Sequence, residues 1–196
     1  MAAHTPASKP VRLYALCDQG LLEREGVSLE TFVTICRSKN AEIIQYRNKY
    51  DEIEHVKKQL ILLRKLWDGF LIINDRYELA PYCDGVHIGQ EDLDAIDPEP
   101  TRALKALKTA IGTDKIVGLS THSAAEIEQA NTLDLNYIGL GAYRSTGTKA
   151  VEQILGQKLD HLAAASKHPV AAIGGVTFDD RFEHVTYHVI GSGLLT

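Results

Sequence analysis

Short apolar runs alternate along the chain with segments in which apolar residues recur every three or four positions. The runs are apolar almost throughout, which is typical of strands in a parallel sheet that is buried on both faces. In the longest periodic segment, Ile53, Val56, Leu60 and Leu63 share one face of a predicted helix. The runs that we predict to be strands are 11–17, 41–46, 69–73, 85–88, 115–119, 136–140, 169–173 and 187–190.

Capping residues mark where several of the intervening helices begin. Ser28 and Ser123 each precede a periodic segment, and a serine side chain accepts a hydrogen bond from the first helical turn. Pro98 and Pro100 lie just ahead of another segment, as expected near a helix start. The predicted helices are 29–37, 51–67, 76–82, 101–110, 124–131, 157–166 and 179–184, and a polar loop is expected after the strand 85–88.

Eight strands alternating with helices predict a (β/α)8 TIM barrel in the α/β class. A doubly wound open sheet is the alternative. The barrel is lean and its last helix is truncated, so we expect a second subunit, as in a homodimer, beside the first and eighth strands. We find no linker that would divide the chain. Residues 11–196 are therefore predicted to be one domain, and residues 1–10 a flexible lead-in.

Composition and charge exclude several classes of function. Of the 196 residues, 44% are hydrophobic and 24% are charged, as in ordinary soluble proteins, and the net charge of -5 argues against nucleic-acid binding. No apolar run approaches the ~18 residues of a membrane span, and the first ten residues lack the apolar core of a secretory signal. Cys17, Cys36 and Cys83 show no zinc-binding spacing and are expected to be buried thiols. These features favour a cytoplasmic protein that binds no membrane.

Acidic side chains follow two neighbouring predicted strands at the point where each strand ends. Asn74 and Asp75 follow one strand, and Asp92 follows the next. The carboxyl ends of parallel strands meet at one rim, and two carboxylates with no thiol partner suit a hard cation such as Mg²⁺. The alternative is that Asp75 caps the following helix and Asp92 caps a turn.

Basic residues and glycines add two anion-binding features to the same rim. Arg47 and Lys49 alternate after the second strand, and with Lys149 they form a cationic pocket suited to a metal-bound pyrophosphate. The glycines of 174–175 and 191–193 expose backbone N–H groups where barrels commonly bind a monophosphate. Taken singly, the cations could be a solvated salt-bridging loop and the glycines simple turns.

Two histidines and one cysteine are further candidates for catalytic groups. His122 follows the fifth strand and is either a base or a locally hydrogen-bonded side chain. His87 lies inside an apolar run, so we expect a hydrogen-bonded histidine within the barrel. Cys83 has no basic neighbour and is not expected to be a nucleophile.

Several motifs together resemble the thiamine phosphate synthase family over about residues 11–195. That family implies a (β/α)8 barrel that joins hydroxymethylpyrimidine pyrophosphate to a thiazole phosphate and releases pyrophosphate. The motifs that carry the resemblance are QYRNK (45–49), IINDR (72–76), GVHIGQED (85–92), GLSTHS (118–123), TGTK (146–149) and AIGGV (172–176).

The resemblance also implies roles for individual residues. Asp75 and Asp92 resemble the Mg²⁺ ligands. The residues implied in catalysis are Arg47, Ser120, His122 and Lys149. The further residues implied in binding are Gln45, Lys49, Asn74, Thr146 and Thr148 on the pyrimidine and pyrophosphate side, and Gly175, Gly191 and Ser192 on the thiazole-phosphate side.

Departures from the family pattern keep two alternatives open. Ser145, preceded by Arg144, stands where the family usually has a proline before the TGTK segment. The sister family of thiazole tautomerases shares the fold and the Ser-x-His-Ser stretch, and uses its histidine, here His122, for proton transfer without the metal carboxylates. A non-catalytic phosphate-binding regulator on the same scaffold is the other alternative.

Overall fold

Eight parallel strands close into a barrel in the computed structural model, which describes residues 11–145 and 154–195. Each strand pairs with the next along the chain, and the eighth pairs with the first, which confirms the predicted TIM barrel. The observed bounds differ from the predicted ones by at most two residues. The strands are β1 (Arg12–Asp18), β2 (Ala41–Arg47), β3 (Phe70–Asn74), β4 (Gly85–Ile88), β5 (Ile116–Thr121), β6 (Tyr137–Leu140), β7 (Val170–Ala172) and β8 (Tyr187–Ile190).

The helices pack outside the barrel and are unevenly distributed around it. The predicted caps are present: Ser28 accepts a hydrogen bond from the backbone N–H of Thr31, and Ser123 from that of Glu126. Short 3₁₀ helices, Tyr77–Tyr82 and Ser192–Leu194, follow β3 and β8, so the barrel is lean as predicted. The α-helices are α1 (Gln19–Glu25), α2 (Leu29–Ser38), α3 (Ile53–Leu66), α4 (Gln90–Ile96), α5 (Pro100–Ile111), α6 (Ala124–Ala130) and α7 (Lys158–Ala163).

Two short helices, α1 and α4, were not predicted from the pattern. The helix α4 begins directly after Gly89, so the prediction of a polar loop after β4 was wrong. Only Leu93 is buried in α4, and only Leu21 and Leu22 in α1. With so few apolar residues, neither segment shows the spacing of three or four positions that predicts a helix.

The predicted helix over 179–184 was also wrong, because its backbone groups bind elsewhere. The N–H groups of Glu183 and His184 donate to the carboxylate of Asp160 at 2.9–3.1 Å. The carboxylate of Asp180 accepts from the backbone N–H of Thr177 at 2.8 Å. These contacts hold the segment between β7 and β8 in turns.

The apolar core has two layers, one on each face of the barrel wall. The larger layer packs the outer faces of the strands against the helices, with Phe32, Leu60 and Leu107 among its buried members. Such burial on both faces explains why the strands are continuous apolar runs. The smaller layer fills the barrel interior and consists of Tyr14, Ile43, Ile72, Tyr137, Ala171 and Val189.

No helix within the described ranges 11–145 and 154–195 is long and apolar enough to cross a membrane. The second subunit beside β1 and β8 stays a prediction. The division into a lead-in over 1–10 and one domain over 11–196 stays a prediction too.

Candidate active site at the carboxyl rim

The carboxyl ends of β2 to β5 bring most of the predicted site residues to one rim of the barrel. Register places Asn74 at the end of β3 opposite His87 of β4, and Arg47 at the end of β2 opposite Asp18 of β1. In barrels of this kind, this rim carries the active site. Thr146, Thr148 and Lys149 lie outside the residues that the structure describes.

Asp75 adopts a left-handed backbone conformation at the end of β3. Its φ is 62°, which is strained for a residue other than glycine. A backbone hydrogen bond stabilises this conformation, since the N–H of Asp75 donates to the carbonyl of His87 at 2.8 Å. Its carboxylate does not cap the following 3₁₀ helix, and instead pairs with the Lys49 ammonium at 3.2 Å. The turn therefore places the Asp75 carboxylate next to Lys49, the residue that follows the neighbouring strand β2 closely.

Asp92 lies in the first turn of α4 and has a structural contact as well. Its Oδ2 accepts a hydrogen bond from the backbone N–H of Gly89 at 3.0 Å, which closes the amino end of the helix. The capping interpretation thus holds for one oxygen. The Oδ1 atom has no hydrogen bond within the described chain and stays available to a cation.

The donor set at this rim fits Mg²⁺ bound together with a phosphorylated ligand. Among the described residues there is no cluster of three or more His, Cys, Asp or Glu side chains able to hold a metal. Mg²⁺ needs no such cluster, because it is usually held by one or two carboxylates together with waters and substrate phosphates. Asp75 and Asp92, from adjacent strand ends, supply that number.

Arg47 is positioned by a carboxylate that the sequence analysis missed. Asp18, the last residue of β1, pairs with the Arg47 guanidinium, and the two side chains are only 7% and 17% exposed. The other oxygen of Asp18 accepts from the backbone N–H of Leu21 at 2.9 Å and caps α1. The signal was present, since Asp18 directly follows an apolar run just as Asn74 does.

A chain of hydrogen-bonded side chains inside the barrel joins Gln45 to Ser120. Gln45 Nε2 donates to the Tyr14 hydroxyl at 2.7 Å, and that hydroxyl lies 2.8 Å from the hydroxyl of Tyr137. The His87 ring bridges the rest, with Nδ1 2.9 Å from the Tyr137 hydroxyl and Nε2 3.0 Å from Ser120 Oγ. His87 is therefore the hydrogen-bonded barrel histidine that was expected.

Burial keeps the ionisable side chains of this hydrogen-bonded network uncharged near neutral pH. Desolvation lowers the pKa of His87 to about 4, with a smaller contribution from His122 nearby. Desolvation also raises the pKa of Tyr14 and Tyr137 above the ordinary value of 10. The sequence pattern gave no sign of the two tyrosines, because an aromatic residue in a strand is normally core.

His122 follows β5 and is oriented by a carboxylate four residues further on. Glu126 Oε2 accepts from the His122 backbone N–H at 2.8 Å and lies 3.0 Å from the ring Nδ1. A carboxylate at Nδ1 leaves Nε2 as the free ring nitrogen and fixes the ring's direction. The histidine is thus locally hydrogen-bonded and still arranged as a base.

The loops after β6 and β7 approach each other at the paired glycines. Gly174 and Gly175 have φ of 88° and 66°. A Cβ on Gly175 would lie 2.8 Å from Cβ of Arg144, so the close approach requires glycine. The Gly191 and Ser192 pair follows β8, with Ser192 opening the last 3₁₀ helix.

Arg144 ties these two loops together. Its guanidinium donates to both carboxylate oxygens of Asp180, at 2.8 and 2.6 Å, and to the carbonyl of Gly175 at 2.7 Å. The guanidinium, helped by Thr177, lowers the pKa of Asp180 to about 2 against the opposing effect of burial. Arg144, which precedes the Ser145 that replaces the family's usual proline, therefore holds this part of the rim together.

The three cysteines behave as predicted. Cys17, Cys36 and Cys83 are free and buried. Burial raises the pKa of each thiol, which disfavours the reactive thiolate. None is arranged as a nucleophile.

The fold and the rim together define a class, a (β/α)8-barrel enzyme with charged and polar side chains at the carboxyl ends of its strands. The sequence profile of the family described as thiamine monophosphate synthase matches residues 13–191. A thiamine-phosphate synthase of Persephonella marina is 34% identical over 170 residues, which cover 84% of this chain and 76% of that protein. One of Methanosarcina barkeri is 33% identical over 174 residues, covering 86% and 74%. The chain belongs to the thiamine monophosphate synthase family and is a transferase.

Solved structures agree on the fold. A thiamine phosphate pyrophosphorylase from Pyrococcus furiosus superimposes with a TM-score of 0.72 at 23% identity, over 93% of this chain and 86% of that one. A tryptophan synthase alpha subunit from Legionella pneumophila gives a TM-score of 0.57 at 12% identity, over 93% and 81%. Because both identities are low, these matches establish the barrel alone.

Proposed function

We propose that this chain joins hydroxymethylpyrimidine pyrophosphate to hydroxyethylthiazole phosphate and releases pyrophosphate. One observation carries the proposal beyond family membership. Asp75 directly follows β3, Asp92 lies in the first turn of α4 after the neighbouring β4, and the Lys49 ammonium lies 3.2 Å from Asp75. Carboxylates next to cations suit a metal-bound pyrophosphate, because the carboxylates would hold the metal and the cations would neutralise the remaining phosphate charge.

Asp75 and Asp92 are the residues that would hold Mg²⁺. When bound, the ion neutralises negative charge on the departing pyrophosphate. Lys49 pairs with Asp75 in this structure, and its ammonium would be free to pair with a pyrophosphate oxygen if Asp75 held the ion. The ion pair with Asp18 holds the Arg47 guanidinium in place at the carboxyl end of β2.

The reaction is a substitution at the methylene carbon of the pyrimidine. The carbon–oxygen bond to pyrophosphate breaks, and pyrophosphate leaves with the electron pair. The ring nitrogen of the thiazole supplies its lone pair to the carbocation, and a carbon–nitrogen bond forms. Fixed cations stabilise the charge that develops on the leaving group, and no side-chain nucleophile is required.

The remaining site residues divide between the two substrates. Gln45 and Ser120 reach the barrel interior and are assigned to the pyrimidine ring, with Asn74 at the pyrophosphate. Thr146, Thr148 and Lys149 are assigned to the pyrophosphate from the sequence resemblance alone. The glycines before and after β8, Gly175 and Gly191, and the adjacent Ser192 are assigned to the thiazole phosphate through their backbone N–H groups.

The test is pyrophosphate release from purified protein mixed with both substrates and Mg²⁺. We expect release that requires each substrate and stops when EDTA removes the metal. Release from the pyrimidine substrate alone would indicate hydrolysis and contradict the coupling. Tight binding of both ligands without turnover would instead support the phosphate-binding regulator.

A thiazole tautomerase is the second candidate, favoured by the contact between His122 and Glu126. A histidine held by a carboxylate is a common arrangement for proton transfer. Two variants separate the candidates. Asp92→Ala should abolish metal-dependent coupling and spare tautomerisation, whereas His122→Ala should do the reverse.

We also propose that the chain works in the cytoplasm as a homodimer. The buried free thiols suit a reducing compartment. Among the described residues a 3₁₀ helix, Ser192–Leu194, follows β8, and we place the second subunit beside β8 and β1. A monomeric mass in solution would contradict the dimer.

A further inference from the structure

Five side chains from five different strands form one hydrogen-bonded chain through the barrel interior, in the order Gln45, Tyr14, Tyr137, His87 and Ser120. We propose that this chain sets the hydrogen-bonding polarity of the pyrimidine pocket, so that Gln45 presents an acceptor to the ring and Ser120 presents a donor. The inference rests on the proposed function and deepens it by identifying the three middle members as positioning residues.

The direction of each hydrogen bond follows from three conditions: the Gln45 amide nitrogen faces Tyr14, both tyrosine hydroxyls donate within the network, and the imidazole is neutral. Gln45 donates through Nε2 to the Tyr14 hydroxyl, which has one proton and gives it to Tyr137. The Tyr137 hydroxyl then gives its proton to Nδ1 of His87. A neutral imidazole with an accepting Nδ1 carries its proton on Nε2, and donates it to Ser120 Oγ.

The two ends of the chain are thereby left with opposite capacities. Ser120 accepts from His87, so its own hydroxyl proton is directed to a ligand. Gln45 has its amide nitrogen engaged with Tyr14, so the amide oxygen Oε1 is left as an acceptor. An aminopyrimidine has the matching edge, because its exocyclic amine donates and its ring nitrogen accepts.

If both tyrosine hydroxyls donate within the network, one other arrangement satisfies all four contacts, and it reverses every proton. It requires the amide oxygen of Gln45, rather than the nitrogen, to face the Tyr14 hydroxyl. His87 would then carry its proton on Nδ1, and Ser120 would present an acceptor. The two arrangements therefore differ in the tautomer of a single buried ring, which makes the polarity measurable.

The barrel is shaped to hold the two rings at the centre of the chain. A Cβ on Gly118 would lie 2.1 Å from Cζ of Tyr137, and a Cβ on Gly139 would lie 2.9 Å from Cε1 of His87. The two rings stack with their centroids 5.4 Å apart. Glycines on β5 and β6 thus make the space that keeps this polar chain in an otherwise apolar interior.

The first experiment reads the tautomer directly. Nitrogen-15 NMR of the ligand-free protein, with the His87 signals assigned by comparison with His87→Gln, distinguishes a protonated ring nitrogen from an accepting one. We expect Nε2 to be protonated and Nδ1 to accept. A protonated Nδ1 in His87 would overturn the proposed polarity.

The second experiment breaks the chain by removing one oxygen atom. In Tyr137→Phe we expect the KM for the pyrimidine substrate to rise about tenfold, since a lost hydrogen bond to a ligand-binding network has roughly this effect. The KM for the thiazole phosphate should stay unchanged, which general misfolding would not allow. An unchanged KM for the pyrimidine substrate would overturn the positioning role.

Tyr187→Phe is the matched control. Tyr187 packs edge-on against Tyr14 with ring centroids 6.3 Å apart but contributes no hydroxyl to the chain. Removing the Tyr187 hydroxyl should leave the KM values for both substrates unchanged. If Tyr137→Phe does not fold, Tyr14→Phe tests the same chain one position earlier, with the same expected rise and the same contradicting result.

The two experiments separate failure of this inference from failure of the proposed function. The NMR result needs neither substrate nor turnover. A wild-type protein without coupling activity would contradict the proposed function while the tautomer remains measurable. An active wild-type enzyme with His87 protonated on Nδ1 would contradict the polarity alone.

Discussion

The two halves of the carboxyl rim use charge in opposite ways. Between β2 and β4, the charged pair formed by Lys49 and Asp75 is partly exposed to solvent, with its side chains 43% and 27% exposed. Between β6 and β8, the pair formed by Arg144 and Asp180 builds the site, because it holds one loop against the carbonyl of Gly175. We therefore propose that the first half binds an anion through side chains and metal, and the second half through backbone.

This difference predicts two kinds of variant. Changes to the charges of the first half should reduce turnover with little effect on folding. Changes to the charged pair of the second half should reduce stability and affect one substrate only. The following substitutions test that contrast, beginning with the largest expected effect.

Asp92→Asn removes the charge of a proposed metal ligand and keeps an oxygen that can accept from the Gly89 backbone N–H. We expect the rate of pyrophosphate release to fall by about 10³-fold, as for loss of a main electrostatic contact in a transition state. Asp92→Ala should lose the same activity and also about 1 kcal/mol of unfolding free energy, because the helix cap is gone. Kinetics and urea unfolding measure the two effects. A rate above one tenth of wild type in Asp92→Asn would contradict the metal role.

Arg144→Ala leaves the Asp180 carboxylate, which is 8% exposed, without its bidentate partner. We expect a loss of about 2–3 kcal/mol in unfolding free energy, since hydrogen bonds to a buried charge are lost together. The KM for the thiazole phosphate should rise about tenfold, with the pyrimidine KM unchanged, because the displaced loop carries Gly175. Steady-state kinetics with each substrate varied in turn checks this.

Arg102→Ala is the control for Arg144→Ala. Arg102 pairs with Asp97, but its side chain is 65% exposed. An exposed pair contributes only about 0–1 kcal/mol, so stability and both KM values should stay near wild type. Equal effects of the two alanine substitutions would contradict a special role for Arg144.

The pairing of Asp180 predicts a pH dependence of stability. Because the pKa of Asp180 is lowered from 3.8 to about 2, its contribution is complete above pH 4 and is lost as the pH falls toward 2. A shift of this size corresponds to roughly 2 kcal/mol. The stability difference between wild type and Asp180→Asn should therefore shrink between pH 4 and pH 2. A difference that is constant over this range would contradict the folded-state pairing.

Lys49→Met should have the smallest effect on folding. The Lys49 side chain is 43% exposed, so its pair with Asp75 contributes under about 0.5 kcal/mol. The same substitution should raise the KM for the pyrimidine substrate, because the ammonium is proposed to bind its pyrophosphate. A stability loss as large as that of Arg144→Ala would show that this half of the rim is structural as well.

Much of the fold follows from the sequence because the barrel repeats one pattern. Strands buried on both faces must be apolar throughout, and helix starts such as Ser28 and Ser123 have a capping side chain. The failures fall where a segment is too short for a period, as in α1 and α4, or where the backbone bonds to a distant carboxylate, as at Asp160.

The site was predictable where residues follow a strand end directly. Asn74 and Asp75 were placed at the rim in this way, and Asp18 was missed although the same rule applies to it. Side-chain pairs could not be predicted from the sequence, because contacts such as that of Arg144 with Asp180 join segments 36 residues apart. Tyr14 and Tyr137 were hidden for a different reason, since a buried aromatic residue in a strand has the same pattern whether or not its hydroxyl is used.

The most direct test of the divided rim is the metal dependence of binding to each half. Titration calorimetry would measure the affinity of the wild-type protein for inorganic pyrophosphate and for the thiazole phosphate, each with Mg²⁺ and with EDTA. We expect the pyrophosphate affinity to fall at least about tenfold without the metal, and the thiazole-phosphate affinity to stay the same. Equal metal dependence of the two ligands, or none for either, would contradict the account.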